Sequence, residues 1–284
     1  MIDGFLNLNK PAGLTSHDAV NIVRKIFSTR KVGHAGTLDP AAQGVLPVAI
    51  GRATKFIEFL ADSDKSYRAE ILFGIATDSG DLDGDIIARA ENFTLPPRDD
   101  LQAVAGSFVG EIEQRPPKFS AIKIHGRKAY DLARKNLDFD VPSRRVKIFR
   151  VELVALNETS ATFDVDCGKG TYIRSLAVDL GERLNLPATL KNLVRLRVGN
   201  FTLRDALTVD DAKKIGADCL LPIEFCLRHL PRFELPEHRV RAFLNGLPTT
   251  LRAADAQALR IFAGGKFWGV GRIERGELRS SKII

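Results

Sequence analysis

An α+β fold with a small, mostly β module at its C-terminal end is predicted by three features of this 284-residue sequence. Two segments alternate apolar and polar residues with a period of two, as half-buried strands do. Helix-period segments interleave with them irregularly rather than as a repeating strand–helix series. Near Arg228 the pattern changes to a Pro- and Arg-rich link that runs to Pro236.

The elements follow in order. After the turn-like Asn9-Lys10-Pro11-Ala12-Gly13, Thr15 or Ser16 can cap a helix whose apolar face is Ala19, Val20, Val23, Ile26 and Phe27, ending before Arg30. Tyr67, Ala69, Ile71 and Phe73 alternate with Arg68, Glu70 and Leu72, and Ala161, Phe163, Val165 and Cys167 alternate with Thr162, Asp164 and Asp166. Both segments read as strands. The second runs into Gly168-Lys169-Gly170, where Thr171 can cap a helix carrying Ile173, Leu176, Ala177, Leu180 and Leu184 on one face. Residues 114–143 are basic and punctuated by Pro116, Pro117, Gly126 and Pro142, so they read as an insertion projecting from the sheet. Beyond the link, a helix-like stretch to Asn245-Gly246 and short strands around Gly264-Gly265 make the C-terminal module. The expected division is a domain of residues 1–228 and a second of 229–284, and the length allows each a core without disulfides or structural metal.

Hydrophobic residues at 44% and charged residues at 27% exclude a disordered chain, and the longest apolar stretch, Val45 to Ile50, contains Pro47 and is too short to cross a bilayer. The first residues, with Asp3 and Asn7 and no charged leader, lack the shape of a signal peptide, so a cytoplasmic protein without a membrane partner is expected. A monomer is expected as well. Cys167, Cys219 and Cys226 are an odd set without a C-x-x-C pair, which argues against a disulfide framework and a thiolate metal site. The net charge of +7 suits a polyanionic partner. Its distribution is more informative. Arg24, Lys25, Arg30 and Lys31 form one basic cluster, Lys118, Lys123, Arg127 and Lys128 a second, and Lys191, Arg195 and Arg197 a third, as contacts to a phosphate backbone would require.

Several chemistries are excluded by spacing. The acidic run from Asp78 to Asp85 suggests a calcium loop, but counting from Asp81 the required Gly and final Glu are Ile86 and Asn92. Gly168-Lys169-Gly170-Thr171 lacks the preceding glycine of a phosphate loop, and there is no G-x-G-x-x-G. The five histidines are scattered without ligand spacing, so neither a metal nor a nucleotide cofactor is expected.

One carboxylate stands out. Gly33-His34-Ala35-Gly36-Thr37-Leu38-Asp39-Pro40, continuing to Gly44-Val45-Leu46-Pro47 and Gly51-Arg52-Ala53-Thr54-Lys55, sets Asp39 in a Gly-rich turn before an apolar strand. This run resembles the active-site motif of the bacterial pseudouridine-55 synthase family, the TruB-type tRNA pseudouridine synthases. Four more segments resemble that family's motifs in order: Asn9 through Ser16; Lys65-Ser66-Tyr67 with Thr77-Asp78 through Gly84; Arg115-Pro116-Pro117-Lys118-Phe119-Ser120-Ala121-Ile122-Lys123; and Lys169 through Leu176. A last one, Leu193 to Phe201, holds Arg195-Leu196-Arg197.

The resemblance implies a mixed, largely antiparallel sheet with an RNA-clasping insertion, and a C-terminal PUA-like RNA-binding domain. It implies isomerisation of uridine 55 in the T loop of tRNA, by base flipping and without a cofactor or metal. Asp39 would be the catalytic carboxylate, Arg174 the cation that holds it ionised, and Tyr67 and Leu196 the apolar faces on either side of the flipped base. His34 would enter the T loop. Lys10 and Arg52 would bind phosphate or shape the pocket, and Lys123, Arg127 and Lys128 would meet RNA from the insertion. Phe119 departs from the pattern, since it offers only a ring where the family commonly has an aromatic hydroxyl. A protein that binds or folds tRNA without modifying it is the competing reading, and a hydrolase of nucleotide phosphates is a third.

Overall fold

The computed structural model describes residues 2–284 except 121, 125, 136, 138 and 252; the side chains of Lys123 and Lys128 also lie outside the described residues. The chain divides into two compact units: residues 1–40, 45–61 and 199–284 form the first, and residues 41–44 and 62–198 the second.

The first unit begins with β1 (Gly4–Lys10), an almost continuously buried strand. It lies beside β3, and its main chain also bonds residues 207 and 221, Asn9 N–H to Leu207 O at 2.8 Å and Phe5 N–H to Leu221 O at 2.9 Å. Helix α1 (Ser16–Ile26) starts from Thr15, whose hydroxyl accepts the Asp18 N–H at 3.0 Å while the Asp18 carboxylate accepts the Thr15 N–H at 3.1 Å. This reciprocal cap makes Thr15, of the two expected residues, the one that starts the helix. Ala19, Val20, Val23 and Phe27 are buried along one face, as their spacing predicts. Strands β2 (Val32–His34) and β3 (Gln43–Ile50) then pair antiparallel, Val32 opposite Ile50 and His34 opposite Val48, leaving residues 35–42 as their loop. A short helix, α2 (Glu58–Ala61), ends this segment.

The second unit contains β4 (Lys65–Phe73), the hairpin of β5 (Ile75–Thr77) and β6 (Ile86–Arg89), α3 (Arg98–Gly106), and β7 (Gly110–Gln114). The insertion follows with β8 (Lys123–Ile124), β9 (Arg127–Lys128) and α4 (Ala129–Ala133), and then come β10 (Arg144–Leu156), β11 (Ser160–Cys167), α5 (Ile173–Arg183) and β12 (Ala188–Val198). The strand order is β12-β4-β11-β10-β7 with every neighbour antiparallel. Gln43 and Gly44 add a parallel pair against Val194 and Arg195, so the sheet is mixed and largely antiparallel. The insertion leaves at Gln114 and returns at Arg144, which face each other across one rung.

The period of two sorts the side chains. Tyr67, Ala69, Ile71, Phe73, Phe163, Val165 and Cys167 pack with Leu101 and Ala105 of α3 and with Ile173, Leu176, Ala177 and Leu180 of α5. The intervening residues pair in ion pairs, Arg68 with Asp164, Arg150 with Asp166 and Lys191 with Glu70, each at 2.8 Å.

The chain then returns to the first unit with β13 (Phe201–Thr202), α6 (Val209–Ile215), β14 (Arg232–Glu234), α7 (Val240–Leu244), β15 (Thr249–Thr250), β16 (Ala256–Ala263), β17 (Lys266–Glu274) and β18 (Glu277–Ile283). The last strands form a β-rich module with order β14-β16-β17-β18-β15 around Leu235, Phe243, Leu259, Ile261, Ile273 and Leu278. The Phe267 and Phe56 ring centroids stand 6.2 Å apart and Lys282 pairs with Glu58 at 3.1 Å, so this module is seated on the segment after β3. Among the described residues no helix is long and apolar enough to cross a membrane.

One half-buried acid on α5 works against folding. Burial, and then the neighbouring Glu182 charge, pushes the Asp179 carboxyl up to about 6. The unfolded carboxyl titrates near 3.9, so the group binds a proton more tightly in the folded state, and stability falls as pH rises from about 4 to about 6. Asp179→Asn is expected to gain about 1–2 kcal/mol at pH 7, allowing for partial solvent screening, with the gain vanishing below about pH 4. Urea denaturation of both forms across that range checks it.

Candidate active site

In the first unit the site is a fixed loop. Asp39 is half-buried in the irregular stretch between β2 and β3, and the residue on each side of it is clamped. The Ser16 hydroxyl accepts the Leu38 N–H at 2.8 Å and donates to Leu38 O at 3.0 Å. Pro40 O accepts the Gly13 N–H at 2.9 Å and Lys10 Nζ at 3.2 Å. Ala35 N–H reaches Pro47 O at 2.9 Å, closing the loop across its neck, and Gly36 turns at φ +86°, where a side chain would be strained. A carboxylate whose flanking backbone is pinned on both sides keeps its aim, which is what chemistry at one atom of a substrate demands.

Lys10 corrects an expectation. It is 0% exposed, and its ammonium donates to Pro11 O at 2.9 Å, Leu14 O at 2.6 Å and Pro40 O at 3.2 Å. Of its two expected uses, the geometry gives it the shaping of the loop, since a buried cation turned onto three carbonyls is not presented to a phosphate. Arg52 is exposed and ion-paired, with Nη2 at 2.8 Å from the Asp3 carboxylate. His34 is half-buried at the end of β2, opposite Val48.

In the second unit, Arg174 is the second residue of α5 and is 5% exposed. Its guanidinium donates to Ser79 O at 3.1 Å and Phe119 O at 2.9 Å and stands 3.4 Å from an Asp81 carboxylate oxygen. It is not a solvated helix-end arginine. Asp81 lies in the run whose spacing fails as a calcium loop, and here the loop cradles an arginine. Gly80 packs on the Arg174 stem, and the Ser79 hydroxyl bonds Asp81 at 2.5 Å. Phe119, without a hydroxyl, contributes its main-chain carbonyl, and its ring meets Tyr130 edge-on at 6.2 Å.

Tyr67 is buried on β4 and belongs to the apolar core, opposite Val165 on one side and Arg195 on the other. Pairing between β12 and β4 shifts at this point: Arg195 faces Tyr67 and Arg197 faces Ser66, so half-buried Leu196 is the extra residue of a β-bulge. Bulges re-aim side chains beside functional sites. Arg195 is only 1% exposed, Lys191 is paired with Glu70, and Arg197 donates to Ser66 Oγ at 3.0 Å. The third basic cluster is therefore engaged within the sheet, with only Arg195 fully buried. Gly44, opposite Arg195, has φ +106°, and a Cβ there would lie 2.3 Å from Arg195 O. Nearby, burial and then the charge of Arg195 hold the Lys65 ammonium below its ordinary range.

In the insertion, Arg127 is exposed, whereas the side chains of Lys123 and Lys128 lie outside the described residues. The expected Thr171 cap is corrected too. The N-cap of α5 is Tyr172, without any side-chain cap, and the Thr171 hydroxyl turns back to Gly168 O at 3.2 Å. Among the described residues no group of three or more His, Cys, Asp or Glu could hold a metal ion. Ser16, Asp81 and Gln114 are the residues that sequence reasoning missed as parts of the site; each stood inside or beside a motif, but none announced its partner.

Residues 24–173 match the profile of the TruB family pseudouridylate synthase (N terminal domain). The chain belongs to this family. A tRNA pseudouridine synthase B of Geobacillus thermodenitrificans is 42% identical over 275 residues, covering 92% of this chain and 91% of its own. Another, of Alkaliphilus oremlandii, is 39% identical over 292 residues, covering 100% and 97%. Among solved structures, a Cbf5-Nop10-Gar1 complex matches with TM-score 0.76 at 26% identity, covering 99% of this chain and 84% of that one. An H/ACA RNP bound to a substrate RNA containing 2'-deoxyuridine shares the fold with TM-score 0.76 at 24% identity, covering 99% and 84%.

The clamp on the loop is open to test. Ser16→Ala strands a buried N–H and a buried carbonyl of Leu38, and is expected to cost about 1–3 kcal/mol. Thr15→Ala, which removes only an exposed helix cap, should cost about 1 kcal/mol and leave the loop's amide protection intact. Hydrogen exchange at the Leu38 amide, accelerated in the first variant and unchanged in the second, distinguishes the two.

Proposed function

We propose that this chain isomerises uridine 55 in the T loop of tRNA to pseudouridine, with Asp39 as the catalytic carboxylate. The observation that carries the reading is the family match across residues 24–173, which contains Asp39 in its clamped loop, together with near-full-length likeness to proteins named tRNA pseudouridine synthase B.

The reaction breaks the N1–C1′ bond, turns the uracil, and joins C5 to C1′; N1 gains a proton and C5 loses one. Neither oxidant nor external nucleophile enters, so the chemistry calls for no cofactor. Attack at C1′, addition to C6 and removal of the C2′ proton are all within the repertoire of one carboxylate. Each needs that carboxylate ionised in a partly desolvated place, and Arg174 is assigned the supporting positive charge. A base out of its stack needs apolar faces, a role assigned to Tyr67 and Leu196, the latter on its bulge. His34, Arg52, Lys123, Arg127 and Lys128 are assigned to RNA, Lys10 to the loop, and residues 229–284 to a PUA-like RNA-binding domain. The protein would act in the cytoplasm as a monomer.

Asp39→Asn removes a charge but little shape. Release of tritium from RNA labelled at uracil C5 should disappear in this variant, while affinity for a T-arm stem-loop stays within about twofold. Substantial tritium release by Asp39→Asn would refute the assignment, and none by the wild type would favour a protein that only binds or folds tRNA. Affinity should also fall with salt, with a log–log slope of about 0.7–0.9 per neutralised phosphate, and Arg127→Gln should lower that slope by about one phosphate's share. Filter binding across a salt series reads both, and a flat response would remove the basic surface from the argument.

A further inference from the structure

We propose that Gln114 is a positioning residue for Arg174, tying the root of the insertion to the start of α5 so that the two move as one; the inference rests on the role given to Arg174 above. Helix α5 begins poorly by itself. Its N-cap, Tyr172, has no side-chain cap, its first turn holds no acid, and it carries Arg174, a cation at the end where the helix dipole favours anions.

The missing cap comes from 58 residues away. Gln114 is 1% exposed, its Oε1 accepts the Tyr172 N–H at 2.8 Å, and its Nε2 donates to Tyr172 O at 3.1 Å. This is the reach-back to the N-cap amide that a glutamine or glutamate three residues into a helix normally makes, here performed from the last residue of β7. Arg144, opposite Gln114 across the rung, lays its guanidinium 4.8 Å from the Tyr172 ring centroid. Two further bonds join the same segments: the Ser175 hydroxyl to Arg115 O at 2.7 Å and Arg174 Nη2 to Phe119 O at 2.9 Å. Residues 114–119 and 172–175 are thus stitched together, with Arg174 between two tethered neighbours. The insertion grows from the same root, so its engagement of RNA and the placing of the guanidinium are mechanically one event.

Single-turnover tritium release from T-arm RNA, measured with stem-loop affinity, tests this in the full-length protein. Gln114→Met keeps the volume and removes both bonds. It should lower the rate about 10- to 100-fold, the loss expected of about 1 Å of misplacement, with affinity within about twofold. In an Arg174→Met background the same change should cost less than about twofold further. Gln114→Glu should recover towards the wild-type rate as pH falls, relative to wild type at each pH, because only the protonated carboxyl reproduces both the donor and the acceptor. Equal losses with and without Arg174, or a Gln114→Glu rate indifferent to pH, would show a merely structural amide and overturn the proposal. Should Gln114→Met not fold, the Gln114→Glu profile decides alone. A wild type that releases no tritium would instead sink the reading of function, and this inference with it; a wild type that is active and an Asp39→Asn variant that is not leave the reading standing whatever Gln114 does.

Discussion

A carboxylate in a loop is useful only if the loop cannot yield, and the two clamps on either side of Asp39 supply that constraint. Leu38 is held at both its N–H and its carbonyl by one buried hydroxyl, and Pro40 by a main-chain amide and a buried ammonium. These bonds are short-range in space but join three separate stretches: the end of β1, the start of α1 and the loop itself. The β1–β3 pairing and the capped helix are therefore the frame of the site as well as elements of the fold. Because Ser16, Leu38 and the Lys10 ammonium are buried, unmaking their bonds would leave polar atoms without water to replace the partner, so the loop has no cheap alternative conformation.

Buried cations serve the same end. Removing an ammonium or guanidinium from water costs several kcal/mol unless hydrogen bonds replace the solvent shell. Lys10 meets three carbonyls, and Arg174 meets two carbonyls and the Asp81 carboxylate. Such a cation tethers every segment that solvates it. Arg174 fastens the 78–85 loop and the insertion's root to α5, which explains why an acidic run without calcium-loop spacing is nonetheless rich in turns and hydrogen bonds: Asp78 accepts the Asp85 N–H at 2.9 Å and Asp81 the Asp83 N–H at 3.2 Å.

The parts of this arrangement legible in the sequence are those governed by local period. Alternation along 67–73 and 161–167 marks the two strands, and the spacing of Ala19, Val20 and Val23 marks the buried face of α1, because each pattern is written within one element. Roles that depend on distant pairing were not legible. Thr171 looked like a cap because it precedes an apolar helix, yet the start of α5 is bonded from β7; Arg195 looked like surface because arginine usually is, yet it lies under a bulge that periodicity cannot register. Thr15 and Ser16 are alternatives for one cap and Lys10 has two expected uses, and only the third dimension chooses between them. The motif resemblance named Asp39 without saying what holds it, since a motif records residues in order and a clamp joins residues 22 positions apart.

The same reasoning bears on why the insertion can sit where it does. A segment of 29 residues between Gln114 and Arg144 would be a weak point in most sheets, but the residues that flank it face each other across one rung of a strand pair, so the sheet is complete without it. Rigidity at the root is what matters, and it comes from bonds to the first turn of α5 rather than from the insertion's own short hairpin and helix. The buried glutamine on the last rung of β7 is where the sheet ends, and the main chain of Arg115 and Phe119 beyond it is still bonded to the first turns of α5.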